Sequence, residues 1–251
     1  MPGNLRPPLA DVAADVPVLY PDDCHLDTAQ EQVQDCRYGA GSGAIAVFGD
    51  SHAAQWFPAI SDIAEKRGDT TMRAYTKSSC PAADVTVSNN VRPAIDGERA
   101  CWMNWKRIRR SWSSSPAMFT TSSRRMRRPA SRPGRRGCSA RFSDSVMRVV
   151  IADTASFPAP PPTFVSDNVM DVTRCDGPRS RALDPALTEA EGAAVTREGG
   201  LYADFTKYVC GADRCPVIVH DLLVYRDENH LTTEFVRYLA TGLDEQIRSG
   251  L

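Results

Sequence analysis

The chain has 251 residues, 42% of them hydrophobic, and a formal net charge of −1. That length can bury a substantial core as one large domain or a domain with a tail. The charge gives no global signature of nucleic-acid binding, and no run approaches the ~20 apolar residues of a membrane span.

Residues 1–43 read as an irregular lead-in, because Pro2, Pro7, Pro8, Pro17 and Pro21 break any helix. The domain proper is expected over 44–251. Ala44 to Phe48 is a short apolar run closed by Gly49-Asp50, the pattern of a buried parallel strand entering a turn. His52 to Arg67 then has helical spacing at Trp56, Ile60 and Ile63, with Gly68 as its stop. Thr71 to Tyr75 reads as a second strand and 76–100 as polar loop. Residues 148–153 give another buried-strand signal, and Pro158 to Pro162 a proline-rich loop. Leu183 to Thr196 has helical composition, and Tyr202, Phe205 and Tyr208 fit a short amphipathic segment. Pro216 to His220 is a strand candidate, continued by Leu222 to Tyr225. Leu231 to Ile247 is the clearest helix, with Phe235, Tyr238, Leu239 and Leu243 on its apolar stripe. Strands alternating with helices predict an α/β sandwich around a parallel sheet.

The segment 107–147 fits no such pattern. Residues 107–148 hold twelve Arg and one acid, Asp144, which leaves 18 basic and 30 acidic residues elsewhere. A solvated basic loop or disordered tail is the plain reading, and a nucleic-acid or anionic-glycan patch is the functional one. A structureless loop of this length is itself anomalous in such a fold. An out-of-frame reading accounts for it: with G/C-rich codons, a frame shifted at Ser111-Trp112 turns the serine run into valines, restoring an apolar strand before a polar turn.

The eight cysteines are Cys24, Cys36, Cys80, Cys101, Cys138, Cys175, Cys210 and Cys215. They form no C-x-x-C and join no paired histidines, so no metal is expected. Cys24 with Cys36, Cys80 with Cys101 and Cys210 with Cys215 close plausible loops. Disulfides in an oxidising compartment are favoured over buried free thiols. Met1 to Tyr20 lacks the apolar core of a signal peptide. Export would then depend on something outside this chain, which fits the soluble part of a longer membrane protein.

Two short motifs carry chemistry. Gly49-Asp50-Ser51-His52 lies between a predicted strand and a predicted helix, at the carboxyl end of a parallel strand where open sheets place ligands. The helix start adds backbone N–H donors suited to an oxyanion. Taken alone, Asp and Ser there are more often caps. Asp227-Glu228-Asn229-His230 precedes the last helix. An Asp and a His three apart can face one cleft, the Asp holding one imidazole nitrogen while the other takes a proton from Ser51. The competing role is Asp227 or Asn229 as a helix cap with His230 merely exposed. The two motifs together are far more specific than either.

With GDSH near its start and D-x-x-H near its end, the chain resembles the SGNH hydrolase superfamily. It is most similar to the SGNH domain fused C-terminally to acyltransferase-3 membrane proteins. The stretches DVPVLYPDDCH, FGDSHAAQWFPAI, TKSSCPAADV, VVIADTASFP, DVTRCDGPRS and VYRDENHLTTEFVRYLA carry the resemblance. It implies a three-layer α/β/α sandwich with a flavodoxin-like parallel sheet. It also implies O-acylation, usually acetylation, of cell-envelope glycans on the extracytoplasmic face of the membrane. The acyl group would come through the acyltransferase-3 membrane part, which this chain does not include, and no cofactor or nucleic acid is implied. Ser51 matches the nucleophile, His230 the base and Asp227 its orienting partner. Gly49, Asp50, Ser51 and Ser79 are the candidate oxyanion and substrate positions. The family's second-block Gly has no counterpart between Thr70 and Val91, so a backbone N–H near Ser78–Ser79 is the expected substitute. The third-block Asn falls inside the anomalous segment. The family pattern places a partner for Cys175 in the proline-rich loop, where Phe164 stands, so Cys175 is left free or paired elsewhere.

Of the other histidines, His25 reads as a surface residue and His220 as structural, while His52 either lines the site or packs on the first helix. Trp56, Trp102 and Trp105 could stack on sugars, though core packing is commoner. Three functions are open: an O-acyltransferase, a hydrolase using the same residues with water as acceptor, and a degenerate glycan-binding module.

Overall fold

The computed structural model describes residues 2–30, 34–80, 117–121 and 147–249. The main sheet contains β1 (His25–Leu26), β2 (Cys36–Tyr38), β3 (Gly43–Gly49), β4 (Thr70–Lys77), β5 (Ala117–Thr121) and β6 (Met147–Ile151). After the two-residue β7 (Gly177–Pro178) it is completed by β8 (Leu201–Ala203). The strand order is β1-β4-β3-β5-β6-β8, with β2 added antiparallel to β4 and every other pairing parallel. Counted in chain order, the five strands β3, β4, β5, β6 and β8 lie as 2-1-3-4-5, the flavodoxin-like winding of an α/β sandwich. Winding reverses between β3 and β5. The crevice at their carboxyl ends is therefore the place where such sheets bind ligands.

The apolar run 44–48 becomes β3, where Ile45, Ala46 and Val47 are buried, as parallel strands covered on both faces require. The helix expected over 52–67 is two helices, α1 (Ser51–Ala54) and α2 (Phe57–Arg67). Pro58 has no N–H to continue a helix but suits the first turn of a new one. The break falls at Gln55-Trp56. Gly68 closes α2 at φ 83°, a left-handed conformation suited to glycine. The connection from β6 contains α3 (Pro161–Asp167), α4 (Arg179–Ala182) and α5 (Pro185–Arg197).

Other sequence expectations change in detail. Tyr202 lies in β8, while Phe205 and Tyr208 belong to a separate turn and short helix, α6 (Thr206–Val209). Past the two-residue β9 (Arg214–Cys215), the strand expected over 216–220 is half of a hairpin: β10 (Ile218–Val219) pairs antiparallel with β11 (Leu222–Leu223), with His220 in the turn at φ 57°. The last helix is α7 (Thr233–Tyr238) followed by α8 (Ala240–Ser249). It starts after Thr232, whose hydroxyl accepts from Phe235 N, so neither Asp227 nor Asn229 is its cap. Both C-terminal helices pack on α2.

The lead-in is part of the domain. Leu5, Val12 and Leu19 are buried in the main core, and β1 and β2 extend its sheet. Each large apolar side chain buried in this way contributes about 1.5–3 kcal/mol, so a domain boundary at residue 43 would cut through the core. The prolines prevent helix but not anchoring. The segment 107–147, expected to hold no strand, contributes β5 in its written frame. Its backbone joins β3 (Val47 beside Phe119) to β6 (Phe119 beside Val149). The rest of that segment, and with it the out-of-frame reading and the third-block Asn, lies outside the described residues.

Disulfides join Cys24 to Cys36 and Cys210 to Cys215. Cys80 is disulfide-bonded as well, and its expected partner Cys101 lies outside the described residues, as does Cys138. Cys175 is a buried free thiol. Trp56 is a core residue, and Trp102 and Trp105 also lie outside the described residues. Among the described residues no helix is long and apolar enough to cross a membrane.

Candidate active site

β3 ends at Gly49, whose φ of 142° is open to glycine and costly for other residues. The chain turns there, and the Asp50 carboxylate accepts from His52 N at 3.0 Å, capping α1. Asp50 is thus a local brace, buried beneath the turn. Ser51 occupies the first position of α1, at the switch-point crevice. Its backbone N–H belongs to the helix start, where the peptide dipoles favour negative charge.

The second motif folds into a tight loop closed by the isolated bridge Tyr225–Leu231, just ahead of α7. The Asp227 carboxylate accepts from Asn229 N at 3.0 Å and His230 N at 2.9 Å. The same carboxylate meets His230 Nδ1 at 2.8 and 2.9 Å. This places the proton on Nδ1 and leaves the Nε2 lone pair free to accept. Nε2 lies 2.9 Å from Ser51 Oγ. Residues 179 positions apart are thereby joined in a serine–histidine–aspartate line.

Electrostatics match that geometry. Burial would raise the Asp227 pKa, but its hydrogen bonds with the His230 ring and the loop amides hold it well below the usual carboxylate range. Burial also lowers the His230 pKa. The Asp227 hydrogen bond opposes this, and the charge of His52 adds to it. A neutral His230 beside an ionised Asp227 is the state a general base requires.

Neighbouring elements brace the loop. Leu231 N donates to Gln55 Oε1 at 2.8 Å, using the residue at the break between α1 and α2. Thr154 Oγ1 donates to Asn229 O at 2.7 Å, and Phe157 N to Glu228 O at 2.8 Å, both from the segment after β6. Asp15 of the lead-in accepts from Thr233 N at 2.7 Å and from the Thr233 hydroxyl. Arg226 stands beside Asp227 at 3.4 Å and over the Tyr20 ring.

His25 reads differently from expectation, and His52 takes one of its two expected places. His25 is buried: Nδ1 meets Thr76 Oγ1 at 2.9 Å, Nε2 meets Ser78 Oγ at 3.0 Å, and its ring stacks on Tyr20. Burial, with the nearby His230 and Arg226, lowers its pKa to about 4. His52 lines the site, its ring 4.8 Å from that of His230 and its Nδ1 2.8 Å from Asp153 Oδ1. The contact is close, but its alignment falls short of a regular hydrogen bond.

Of the two amides expected to serve as the second oxyanion donor, the structure engages one elsewhere. Ser78 N donates to Leu26 O at 2.8 Å, so it is already engaged. Ser79 is exposed in the turn after β4, at φ 58°. Sequence reasoning missed Asp153, Thr154, Gln55 and Asp15. Asp153 carried a usable signal, an acidic residue directly after a buried parallel strand. The others act across long sequence separations and leave no spacing to read. Among the described residues no three His, Cys, Asp or Glu side chains converge as a metal site.

The family model "SGNH domain (fused to AT3 domains)" matches residues 23–245. No match is found among curated proteins. Among solved structures, the chain is similar to the lipopolysaccharide acetyltransferase periplasmic domain of Salmonella ser. Paratyphi A. The two share 16% identity at a TM-score of 0.59, covering 89% of this chain and 90% of that one. At that identity the likeness shows the fold.

Proposed function

We propose, on the premise that this chain belongs to the family of SGNH domains fused to AT3 domains, that it transfers an acyl group, most simply acetyl, to a hydroxyl of a cell-envelope glycan. The observation that carries this reading is the 2.9 Å approach of His230 Nε2 to Ser51 Oγ, with Asp227 on the opposite ring nitrogen. The Ser51 oxygen attacks the acyl carbonyl while its proton passes to His230 Nε2. The donor then leaves with that proton, and the acyl group remains as an ester on Ser51. An acceptor hydroxyl attacks the ester, gives its proton to His230, and Ser51 recovers a proton as the product ester departs. Asp227 keeps its negative charge and stabilises the imidazolium at each stage. The Ser51 N–H supplies one oxyanion donor at the start of α1.

The acyl donor reaches Ser51 through an AT3 membrane partner, which places the domain on the extracytoplasmic face. The lipopolysaccharide acetyltransferase fold neighbour and the disulfides support that compartment. A hydrolase differs from this transferase only in what meets the acyl-enzyme, so one experiment separates them. The chain is given a chromogenic acetyl ester together with envelope oligosaccharides, and the products are separated. Acetylated oligosaccharide marks transfer, and acetate alone marks hydrolysis. Ester turnover no faster than that of Ser51→Ala would overturn both.

A further inference from the structure

His52 and Asp153 form a second His–Asp pair that the reaction above leaves without a role. Both side chains are nearly inaccessible, at 7% and 8% exposure. An ionised imidazole is seldom kept in such a place without a partner, because burial penalises its charge. Here the partner comes from the far side of the switch point: Asp153 follows β6, while His52 follows the nucleophile. The pair sits directly behind the base, with the His52 and His230 rings 4.8 Å apart. It is also tied to the base's loop, since Thr154, next to Asp153, donates to Asn229 O.

We propose that His52, held as a cation by Asp153, is a positioning residue for the base: its charge against the His230 ring keeps His230 in the proton-accepting form and speeds return of the proton it takes from Ser51. The catalytic consequence rests on the triad reading above, while the coupling between the two rings does not. Protonated His230 is a second cation beside His52, so the neutral ring is favoured before the attack. After it, the proton is released more readily to the departing donor. Asp227 prevents this effect from stripping His230 of basicity altogether.

The groups facing the two rings all bear on the sign. His230 faces Asp227 and Arg226 from its own loop, His52 from α1 and His25 from β1. His25 is neutral above about pH 4, so it adds no charge in the working range. His52 faces Asp153, its own cap residue Asp50, and Asp227. Burial opposes its charge, but the carboxylates, Asp153 first, outweigh burial and raise its pKa to about 9. Removing the His52 charge leaves burial and Arg226 still lowering the His230 pKa, so a partial upward movement follows.

The test pairs imidazole NMR titrations with the pH dependence of kcat/KM for a chromogenic acetyl ester. Wild type, His52→Asn and Asp153→Asn are compared. In the wild type, His52 is expected to stay protonated at pH 8 and His230 to titrate below the ordinary imidazole value of about 6.5. Both variants are expected to raise the His230 midpoint and move the acid limb of kcat/KM to higher pH. Their loss relative to wild type therefore widens as pH falls. A residue that merely packs would lower activity equally at all pH values. The inference is overturned if wild-type His52 is neutral at pH 7, or if the His230 midpoint is unmoved in the folded variants. Should a variant fail to fold, the wild-type titration decides alone. If Ser51→Ala hydrolyses the ester as fast as wild type, the triad reading fails, while the NMR midpoints still decide the coupling.

Discussion

His230 and His52 each face an aspartate, and their rings lie 4.8 Å apart, yet the two pairs hold their protons differently. Asp227 is three residues from His230 and spends part of its hydrogen-bonding capacity on the loop amides of Asn229 and His230. Its histidine is partly open, burial and the His52 charge lower its pKa, and Nε2 faces Ser51. Asp153 reaches His52 from the segment after β6, in a nearly closed space, and holds it charged to about pH 9. On the proposed reading, the same two residue types serve as a base in one place and a fixed cation in the other. Environment, not composition, assigns the role.

The largest expected effects break the comparison on the His230 side. Ser51→Ala and His230→Ala should each lower ester turnover by at least ~10⁴-fold, and Asp227→Asn by ~10⁴-fold through loss of the Nδ1–H tautomer. Steady-state kinetics of the purified variants measure this, with circular dichroism to establish that each is folded. Asp227→Asn losing less than tenfold would mean that the loop amides, rather than the carboxylate, orient the ring.

A second prediction uses stability against pH. The His52 pKa is raised in the folded state, so its contribution is fully present below about 6.5, the unfolded value, and is lost as pH rises toward 9. The His25 pKa is lowered to about 4, so its contribution is present above about 6.5 and is lost as pH falls toward 4. Opposite signs place the Tm maximum near pH 6.5. His52→Asn should flatten the alkaline side of a Tm-against-pH curve and leave the acid side sloping. A Tm that keeps rising from pH 6.5 to 9 in the wild type would contradict the charged His52.

The smallest effect concerns the brace shared by the two pairs. Thr154→Val removes the hydrogen bond to Asn229 O and leaves that carbonyl without it. The expected cost is about 1–3 kcal/mol in chemical denaturation, with kcat reduced while KM is held. An unchanged kcat would mean that Gln55 and Phe157 position the loop unaided.

The sequence made the nucleophile side of this site legible because its signals are local. A glycine, a capping Asp and a Ser follow an apolar run, and the Asp-x-x-His spacing fits a single loop. The flavodoxin-like winding was legible only through family resemblance, since β5 falls where the arginine-rich segment hides any strand period. The lead-in was misread because proline breaks regular structure without preventing burial, and Leu5, Val12 and Leu19 show no periodicity. His25 was misread as exposed for a related reason. Its partners Thr76 and Ser78 are about fifty residues away, brought near by the parallel pairing of β1 with β4. Asp153 stands in a resembling stretch where the sequence shows no role for it, because only the fold sets it against His52.

The most direct test of the central assignment is to quench the chain during turnover of a chromogenic acetyl ester and map acetylation by mass spectrometry. The account predicts a transient acetyl group on Ser51, accumulating when the acceptor is withheld and absent from Ser51→Ala. Turnover retained in Ser51→Ala, with no label on Ser51 in the wild type, would contradict it.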